Sequence, residues 1–263
     1  MKLTCHSEVG KLHSIFVKRA LDAFISDEHI SQFWASLNYT EKPNFEMALK
    51  EYTDFESEIS NISTQVKYIP SDVSVNIDSI YCRDAGIVTD LGMVICNMGK
   101  LARSNEPSAL KKACEANGIK VLGEIKGAGT LEGGDVAWLD ENTLAVGHTY
   151  RSNEEGIRQL KELIAPLKVN VITIPLPHYK GPSDVFHLMS ILSPVDHRTA
   201  VVYSPLMPIC FRNYLLEKEY QLVEVPDEEF ETMGCNVLAL APGLCLMVGG
   251  NHKTKALLES VGC

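Results

Sequence analysis

The sequence predicts an α/β fold in which five similar units form a pseudo-symmetric propeller. First, the order strand–strand–helix–strand recurs along the 263 residues at a spacing of about 45–50 residues. Second, the first and last copies are incomplete, the last lacking its closing strand. Third, a unit of this length does not bury its apolar face alone, whereas a ring closes the edges of every unit. We therefore expect a five-bladed α/β propeller, incomplete at the C-terminal closing strand, that forms a single domain over residues 1–263.

The first unit has one strand before a long helical insertion. Lys11–Ala20 has apolar residues near period two, which is typical of a strand. The insertion, residues 21–61, is polar and aromatic, and Asn44–Ile62 has apolar residues at near-helical spacing after Pro43. We expect this insertion to act as a lid over a substrate site or, alternatively, to form a satellite helical layer. Val66–Ile69 is the predicted closing strand.

Each of the other four units begins with two strands that are joined by a tight turn. Three of them continue with a helix and a closing strand, and the fifth stops after its helix. The predicted strand pairs are Ala85–Thr89 with Gly92–Cys96, Val136–Leu139 with Thr143–Gly147, Asp184–Ser193 with Thr199–Tyr203, and Cys235–Ala241 with Leu244–Val248. The predicted helices are Glu106–Ala116, Asn153–Leu167, Pro208–Leu216 and Asn251–Ser260, and the closing strands are Ile119–Gly123, Val169–Pro175 and Gln221–Val225.

Composition narrows the classes of partner. The formal charge of −10 argues against nucleic acid and anionic membranes and mildly favours a cationic small molecule. No apolar run reaches the roughly 18 residues of a membrane span, and the first residues lack the apolar core of a signal peptide. The eight cysteines form no CxxC pair, so we expect reduced thiols rather than zinc sites or disulfides. These features predict a cytoplasmic protein without metal or cofactor, and they are compatible with a homo-oligomer.

Ionisable groups recur near the start of the first strand in several units. Asp84 lies six residues before the turn residue of its unit, and Glu132 and Asp135 precede the turn of the third unit. His187 and Cys235 occupy the matching position in the fourth and fifth units. Because these starts converge in a radial array, we expect carboxylates, an imidazole and a thiol around one axis.

Each of these groups also has a purely structural interpretation. Asp84 next to Arg83 can form a surface ion pair, which contributes well under about 1 kcal/mol. A histidine in an apolar stretch, such as His187, is more often a hydrogen-bonded core residue. Cys235 taken alone is most simply a small buried residue. The shared register favours the functional interpretation, since independent accidents do not fall at one position.

Several motifs, taken in order, resemble a known superfamily. YCRD, NMGKLAR, LEGGDV, RSNEEG and FHLMS are similar to segments of the guanidino-modifying superfamily, which shares the five-bladed pentein fold. It contains dimethylarginine dimethylaminohydrolases, arginine deiminases and amidinotransferases. The resemblance covers essentially the whole chain and is strongest to the dimethylarginine dimethylaminohydrolase family. EGGD alone is a weak motif, whereas the ordered set is fairly specific.

The resemblance implies a hydrolase that acts on the guanidinium carbon of arginine or N-methylated arginine and gives citrulline plus an amine. A cysteine thiolate would attack the carbon, and a histidine would protonate the leaving amine and then activate water. Carboxylates would hold the planar cation, and arginines its carboxylate. The implied general acid/base is His187, the acid that orients it or contacts the substrate is Glu132, the carboxylates that hold the substrate are Asp78 and Asp84, and the arginines that take its α-carboxylate are Arg103 and Arg151.

Two departures from the family pattern leave alternatives open. Arg83 before Asp84 is closer to the deiminase branch, so the methylation state of the substrate stays open. The nucleophilic cysteine of the family is expected roughly 15–20 residues after Cys263, with Cys235 as a weaker alternative. A chain that ended at residue 263 would be inactive or would use another thiol. The alternatives are therefore an amidinotransferase and a catalytically inactive guanidino-compound binding protein.

Overall fold

The computed structural model describes residues 4–62 and 65–263. These residues form two compact units. The N-terminal unit is Leu12–Gly133, and the C-terminal unit is residues 4–11 together with Gly134–Cys263. Both units combine small mixed sheets with helices, so the predicted α/β class is confirmed. The single domain over residues 1–263 stays a prediction.

The N-terminal unit contains a two-stranded and a three-stranded sheet in its described residues. Its strands are β1 (Ser14–Val17), β2 (Gln65–Tyr68), β3 (Gly86–Thr89), β4 (Gly92–Ile95) and β5 (Val121–Glu124). Its helices are α1 (Ala20–Phe24), α2 (Asp27–Phe33), α3 (Phe45–Asn61) and α4 (Glu106–Ala116). β1 pairs with β2 in parallel, and β4 pairs antiparallel with β3 and parallel with β5.

The predicted helical insertion is present as α1, α2 and α3. Two side-chain caps fix its helix starts, since Ser26 Oγ accepts from the backbone N–H of His29 and Asn44 Oδ1 accepts from that of Met47. Ile30 and Leu37 are buried in its own apolar cluster, which orders the insertion against the rest of the N-terminal unit. Its role as a lid stays a prediction.

The C-terminal unit contains three sheets in its described residues. Its strands are β6 (Val136–Asp140), β7 (Thr143–His148), β8 (Asn170–Pro175), β9 (Leu192–Asp196), β10 (Thr199–Val202), β11 (Gln221–Glu224), β12 (Val237–Ala241) and β13 (Leu244–Met247). Its helices are α5 (Glu154–Ile164), α6 (Ile209–Glu217), α7 (Asp227–Phe230) and α8 (His252–Ser260). In the first two sheets the middle strand, β7 or β10, is antiparallel to the strand before it and parallel to the strand after the helix.

The predicted order of elements is confirmed in the three middle copies of the repeat. Each has two antiparallel strands, a helix and a parallel closing strand. The last copy, β12 with β13, has two strands followed by α8. The order could be predicted because these elements have local sequence signals. Apolar runs of period two and turn residues indicate the strands, and the buried stripe Ile157, Leu160 and Ile164 indicates α5.

One predicted strand, Asp184–Ser193, is wrong over most of its length, since the observed strand β9 begins only at Leu192. Residues 184–187 form no strand, and Leu188–Ser190 is a 3₁₀ turn that leads into β9. The backbone N–H of His187 donates to Ser190 Oγ, and that of Leu188 donates to Asp135 Oδ1. These side-chain acceptors replace the ladder partners of a strand, so His187 lies in a loop rather than inside a strand.

Candidate active site

Two predicted substrate-binding acids lie on consecutive 3₁₀ turns of the N-terminal unit. Asp78 belongs to the turn Ile77–Ile80, and Asp84 belongs to the turn Cys82–Ala85. Asn76 Oδ1 accepts from the backbone N–H of Asp78 and fixes the start of the first turn. Asp78 is buried, with 3% of its surface exposed. A buried carboxylate needs a cation or several donors, and the same unit supplies a cation.

Lys100 is the cation that faces Asp78. Its Nζ lies 2.7 Å from Asp78 Oδ2 and donates to the carbonyl oxygen of Leu37 at 2.9 Å. Its backbone N–H donates to Glu132 Oε1 at 2.9 Å. One residue therefore contacts two predicted site acids and the helical insertion. The sequence reasoning did not assign Lys100 a role, although the motif NMGKLAR contains it.

Arg103 is the cation that faces Asp84. Its Nη1 lies 2.6 Å from Asp84 Oδ2, and its Nε and Nη2 form a bidentate pair with Glu106 at 2.9 and 2.7 Å. Nη2 also donates to the carbonyl oxygen of Tyr81 at 3.0 Å. Burial by itself lowers the pKa of Arg103, but the bonds to Glu106 and the charge of Asp84 raise it above its ordinary value. This geometry favours a role in holding Asp84, while binding of a substrate carboxylate by Arg103 stays a prediction.

Burial also changes Glu106, the acid on the other side of Arg103. Desolvation raises the pKa of Glu106 to about 7, although the hydrogen bonds and charge of Arg103 act in the opposite direction. Asp78 and Asp84 add to the rise because they are like charges. Asp78, Asp84, Glu106 and Glu132 are called the acid cluster of the N-terminal unit. Two cations of the same unit, Lys100 and Arg103, contact this cluster.

Glu132 is fully buried and precedes Gly133, a position that has no room for a side chain. A Cβ added to Gly133 would lie 2.2 Å from the carbonyl oxygen of Arg83 and 3.0 Å from that of Gly86. The absence of a side chain at Gly133 is what permits this close backbone approach. The approach fixes Glu132 against the turn that carries Asp84.

His187 contacts a buried carboxylate within the C-terminal unit. Its Nδ1 lies 3.3 Å from Asp135 Oδ1, and both side chains are at least nine-tenths buried. Asp135 is the last residue of the 3₁₀ turn Gly133–Asp135 and directly precedes the strand β6. The sequence reasoning noted Asp135 in its motif but did not include it among the site residues. A carboxylate at this distance stabilises the imidazolium by charge when the ring is protonated.

Arg151, the second predicted arginine, lies in the wall of a cavity of about 300 Å³ in the C-terminal unit. Its side chain is buried, and its Nη2 donates to the carbonyl oxygen of Asp184 at 3.3 Å. Tyr150 Oη lies 2.6 Å from His178 Nδ1 in the same wall. An arginine in a cavity of this size is compatible with the predicted carboxylate binding.

A sequence model of the eukaryotic N,N-dimethylarginine dimethylhydrolase family matches residues 22–249, well over half of the chain. The chain belongs to this family. Within the part that the structure describes, no helix is long and apolar enough to cross a membrane.

Relatives of this dimethylhydrolase-family chain include a dimethylarginine dimethylaminohydrolase and an arginine deiminase. An N(G),N(G)-dimethylarginine dimethylaminohydrolase of Streptomyces coelicolor is 29% identical over 187 residues, 70% of this chain and 65% of the relative. An arginine deiminase of Borrelia duttonii is 24% identical over 165 residues, 51% of this chain and 40% of the relative. The matched region therefore spans less than two thirds of the length of either relative.

Solved structures share the fold of this family member. A DDAH of Pseudomonas aeruginosa complexed with citrulline has a TM-score of 0.75 at 18% identity, covering 96% of this chain and 90% of that chain. The N-terminal domain of a cyanobacterial arginine dihydrolase, bound to product, has a TM-score of 0.78 at 17% identity, covering 96% and 89%. An amidinotransferase of Microseira wollei has a TM-score of 0.71 at 14% identity, covering 99% and 89%. At these identities the likeness establishes the fold alone.

In this dimethylhydrolase-family chain, the alternative nucleophile Cys235 has the surroundings of a structural thiol. It is 1% exposed in an apolar cluster, and its Sγ lies 3.7 Å from the carbonyl oxygen of Val201. Burial raises the pKa of Cys235 far above its ordinary value, so the thiolate that a nucleophile needs is disfavoured. Burial also raises the pKa of Cys263.

Proposed function

We propose that the protein hydrolyses the guanidinium group of arginine or N-methylated arginine and releases citrulline plus an amine. The observation that carries the proposal is the contact between His187 Nδ1 and the buried carboxylate of Asp135. A histidine that is held in this way is suited to general acid/base catalysis. The match to the dimethylhydrolase family and its hydrolase and deiminase relatives supports the reaction class.

The proposed reaction has two steps. A cysteine thiolate attacks the guanidinium carbon, and protonated His187 gives a proton to the departing nitrogen. The amine departs, and a thiouronium intermediate bound to the cysteine sulfur remains. Neutral His187 then takes a proton from water, the hydroxide adds to the same carbon, and the thiolate departs as the urea group of citrulline forms. Burial disfavours the thiolates of Cys235 and Cys263, so neither is the thiol of this proposal.

Three members of the acid cluster bind the substrate in this proposal. Asp78, Asp84 and Glu132 are carboxylates that suit a planar cation, because bidentate charge-assisted bonds match its geometry. Lys100 and Arg103 neutralise part of their charge, so substrate binding depends on how these two cations share the acids. Arg151 is the proposed partner of the substrate carboxylate.

We also propose the five-bladed propeller as the arrangement of the repeat, with residues 21–61 as its lid. The described residues contain five small sheets, and five is the number of blades that the repeat predicts. In chain order the sheets have two, three, three, three and two strands. The likeness to solved dimethylarginine dimethylaminohydrolase and arginine dihydrolase structures supports the proposal.

Amidino transfer is the second candidate, since a structural neighbour is described as an amidinotransferase. It uses the same first step, but an amine rather than water accepts the amidino group from the thiouronium. The third candidate, a binding protein without turnover, would use the same acids and arginines to sequester guanidino compounds.

One assay separates these candidates. The natural full-length chain is incubated with dimethylarginine and, separately, with arginine, and citrulline is measured together with dimethylamine and ammonia. Citrulline with dimethylamine indicates the dimethylaminohydrolase, and citrulline with ammonia indicates the deiminase. Transfer to an added amine without citrulline would overturn the hydrolase, and heat of binding in calorimetry without any product would favour the binding protein.

Two variants test the roles of the histidine and of the buried thiol. His187→Ala is expected to abolish turnover while binding of the substrate persists, and His197→Ala, at an exposed histidine, is the matched control. Cys235→Ala is expected to remain active. Full activity of His187→Ala would remove His187 from the reaction.

A further inference from the structure

We propose that Tyr39, on the helical insertion, is a further substrate-binding residue, whose hydroxyl accepts an N–H of the cationic group that Asp78 binds. This role rests on the proposed function, because Asp78 is there an acid that holds a guanidino substrate. Tyr39 and Asp78 belong to the same N-terminal unit. The Tyr39 hydroxyl is buried, although no residue in the described ranges is hydrogen-bonded to it.

The backbone of Tyr39 is fixed by the turn that follows α2. Asn38 has a φ of 67°, in the left-handed region that asparagine tolerates. The backbone N–H of Tyr39 donates to the carbonyl oxygen of Trp34 at 3.2 Å, and that of Asn38 donates to the carbonyl oxygen of Ala35 at 3.3 Å. These are the two bonds of a Schellman motif. The motif fixes the start of the Tyr39 side chain, and the ring packs against the apolar cluster of the insertion.

Two residues of the acidic region are the electrostatic neighbours of the Tyr39 hydroxyl. Burial raises the pKa of Tyr39 above its ordinary value, and the neighbouring Tyr81 and Asp78 raise it further. Because a charge shifts a pKa mainly at short range, the hydroxyl lies close to the Asp78 carboxylate. Lys100 Nζ binds Asp78 and also donates to the carbonyl oxygen of Leu37, two residues before Tyr39. The insertion therefore reaches the surroundings of Asp78 at two points.

An unpaired buried hydroxyl destabilises the folded state, whereas a phenylalanine ring at the same position does not. Burial removes the water that the Tyr39 hydroxyl binds in the unfolded chain, and no protein group of the described residues replaces it. Such groups are uncommon in folded proteins and are expected at functional sites. The ring alone serves the packing of the insertion, so the hydroxyl is left for a ligand.

A cation with N–H groups is the ligand that fits this hydroxyl. The neighbouring carboxylate of Asp78 already binds an ammonium, Lys100 Nζ, at 2.7 Å. When a guanidinium replaces that ammonium, one N–H bonds to the carboxylate and a second N–H of the same planar group bonds to the Tyr39 oxygen. A group without an N–H at this position leaves the hydroxyl unpaired, so Tyr39 discriminates against it.

The test is Tyr39→Phe, which removes only the hydroxyl. Arginine binding is measured by calorimetry on the natural full-length chain in the His187→Ala background, so that arginine is bound without being consumed, and stability without ligand is measured by urea unfolding. We expect the Kd for arginine to rise about 5- to 20-fold, whereas the unfolding midpoint stays the same or rises. Tyr52→Phe, in the same apolar cluster, is the matched control and is expected to change the Kd by less than about twofold.

The outcomes distinguish failure of this role from failure of the proposed function. Absence of binding heat with both arginine and dimethylarginine in the parent protein would overturn both. Binding by the parent with an unchanged Kd in Tyr39→Phe would overturn the role of Tyr39 alone. A lowered unfolding midpoint in Tyr39→Phe would show that the hydroxyl has a structural partner in the folded protein, and this result would also overturn the role.

Discussion

At the residue scale, the two predicted substrate acids of the N-terminal unit differ in the cation that faces each of them. Asp78 faces a lysine, which is a point charge with three donors, whereas Asp84 faces a planar guanidinium that is also bound to Glu106. An ammonium exchanges partners more readily than a bidentate guanidinium does. We therefore expect Asp78 to be the acid whose pairing changes when a cationic substrate binds.

Replacement of Lys100 by methionine is expected to destabilise the fold by about 3 kcal/mol, because it leaves Asp78 buried without its cation. The KM for a guanidino substrate is expected to change as well, since the variant also breaks the bond to Leu37 in the insertion. Urea unfolding and steady-state kinetics measure the two effects. Lys112→Met breaks an exposed pair with Asp72 and is the control, with an expected cost below about 1 kcal/mol. Equal costs in both variants would contradict the prediction.

Glu106 is expected to make stability depend on pH between about pH 4.5 and about pH 7. Its pKa is raised to about 7 by burial, from an ordinary value of 4.5, so the folded state holds a proton that the unfolded state releases. This contribution is complete below about pH 4.5 and is lost as the pH rises through about 7. The free energy of unfolding of the wild type minus that of Glu106→Gln is therefore expected to be more positive at pH 5 than at pH 8, by about 1–3 kcal/mol.

Chemical unfolding at the two pH values measures this difference. Glu115→Gln, on the exposed side of the same helix α4, is the matched control and is expected to change stability equally at both. A difference between wild type and Glu106→Gln that is the same at pH 5 and pH 8 would contradict the assignment of a raised pKa.

At the scale of elements, 3₁₀ turns rather than strands carry the candidate site. Asp78, Asp84, Arg103 and Asp135 belong to such turns, and His187 directly precedes one. Short 3₁₀ turns leave backbone N–H groups to side-chain acceptors and change the chain direction within three residues. They therefore place charged side chains beside the strands without interrupting the sheets.

Gly133→Ala is expected to destabilise the protein by at least about 3 kcal/mol, because the new Cβ overlaps the carbonyl oxygen of Arg83 at 2.2 Å. The clash is with backbone, which no side-chain rotation relieves. Gly249→Ala is the control, since no atom lies within 4 Å of its added Cβ, and its expected effect is within about 0.5 kcal/mol. Thermal unfolding measures both, and a Gly133→Ala variant as stable as the control would contradict the close approach.

At the scale of the whole molecule, the net charge of −10 is expected to attract cationic substrates by long-range electrostatics. An acidic protein raises the local concentration of a cation, and salt screens this attraction. The kcat/KM for a guanidinium substrate is therefore expected to fall severalfold between about 0.01 M and about 0.5 M salt.

Stopped-flow or steady-state kinetics at several salt concentrations measure this effect. Binding of citrulline, whose side chain is neutral, is the control and is expected to depend less on salt. A kcat/KM that rises with salt would contradict electrostatic attraction of the substrate.

The sequence by itself determined the strands, the helices and the order in which they recur. Apolar period, turn residues and helix caps are local signals, so α4 was predicted with its observed bounds and the paired strands to within a few residues. The exception, the loop before β9, has the apolar composition of a strand but hydrogen bonds to Asp135 from 53 residues away.

Only the tertiary structure decided which charged groups meet. Lys100 reaches Asp78 across 22 residues, and the partner of His187 within its unit is Asp135 rather than a neighbour in sequence. Such pairs have no local pattern, because they depend on how turns from different parts of the chain pack together. The sequence therefore predicted the acids, the arginines and the histidine as site residues, and which charged groups pair was decided by the fold, because burial makes an unpaired charge costly.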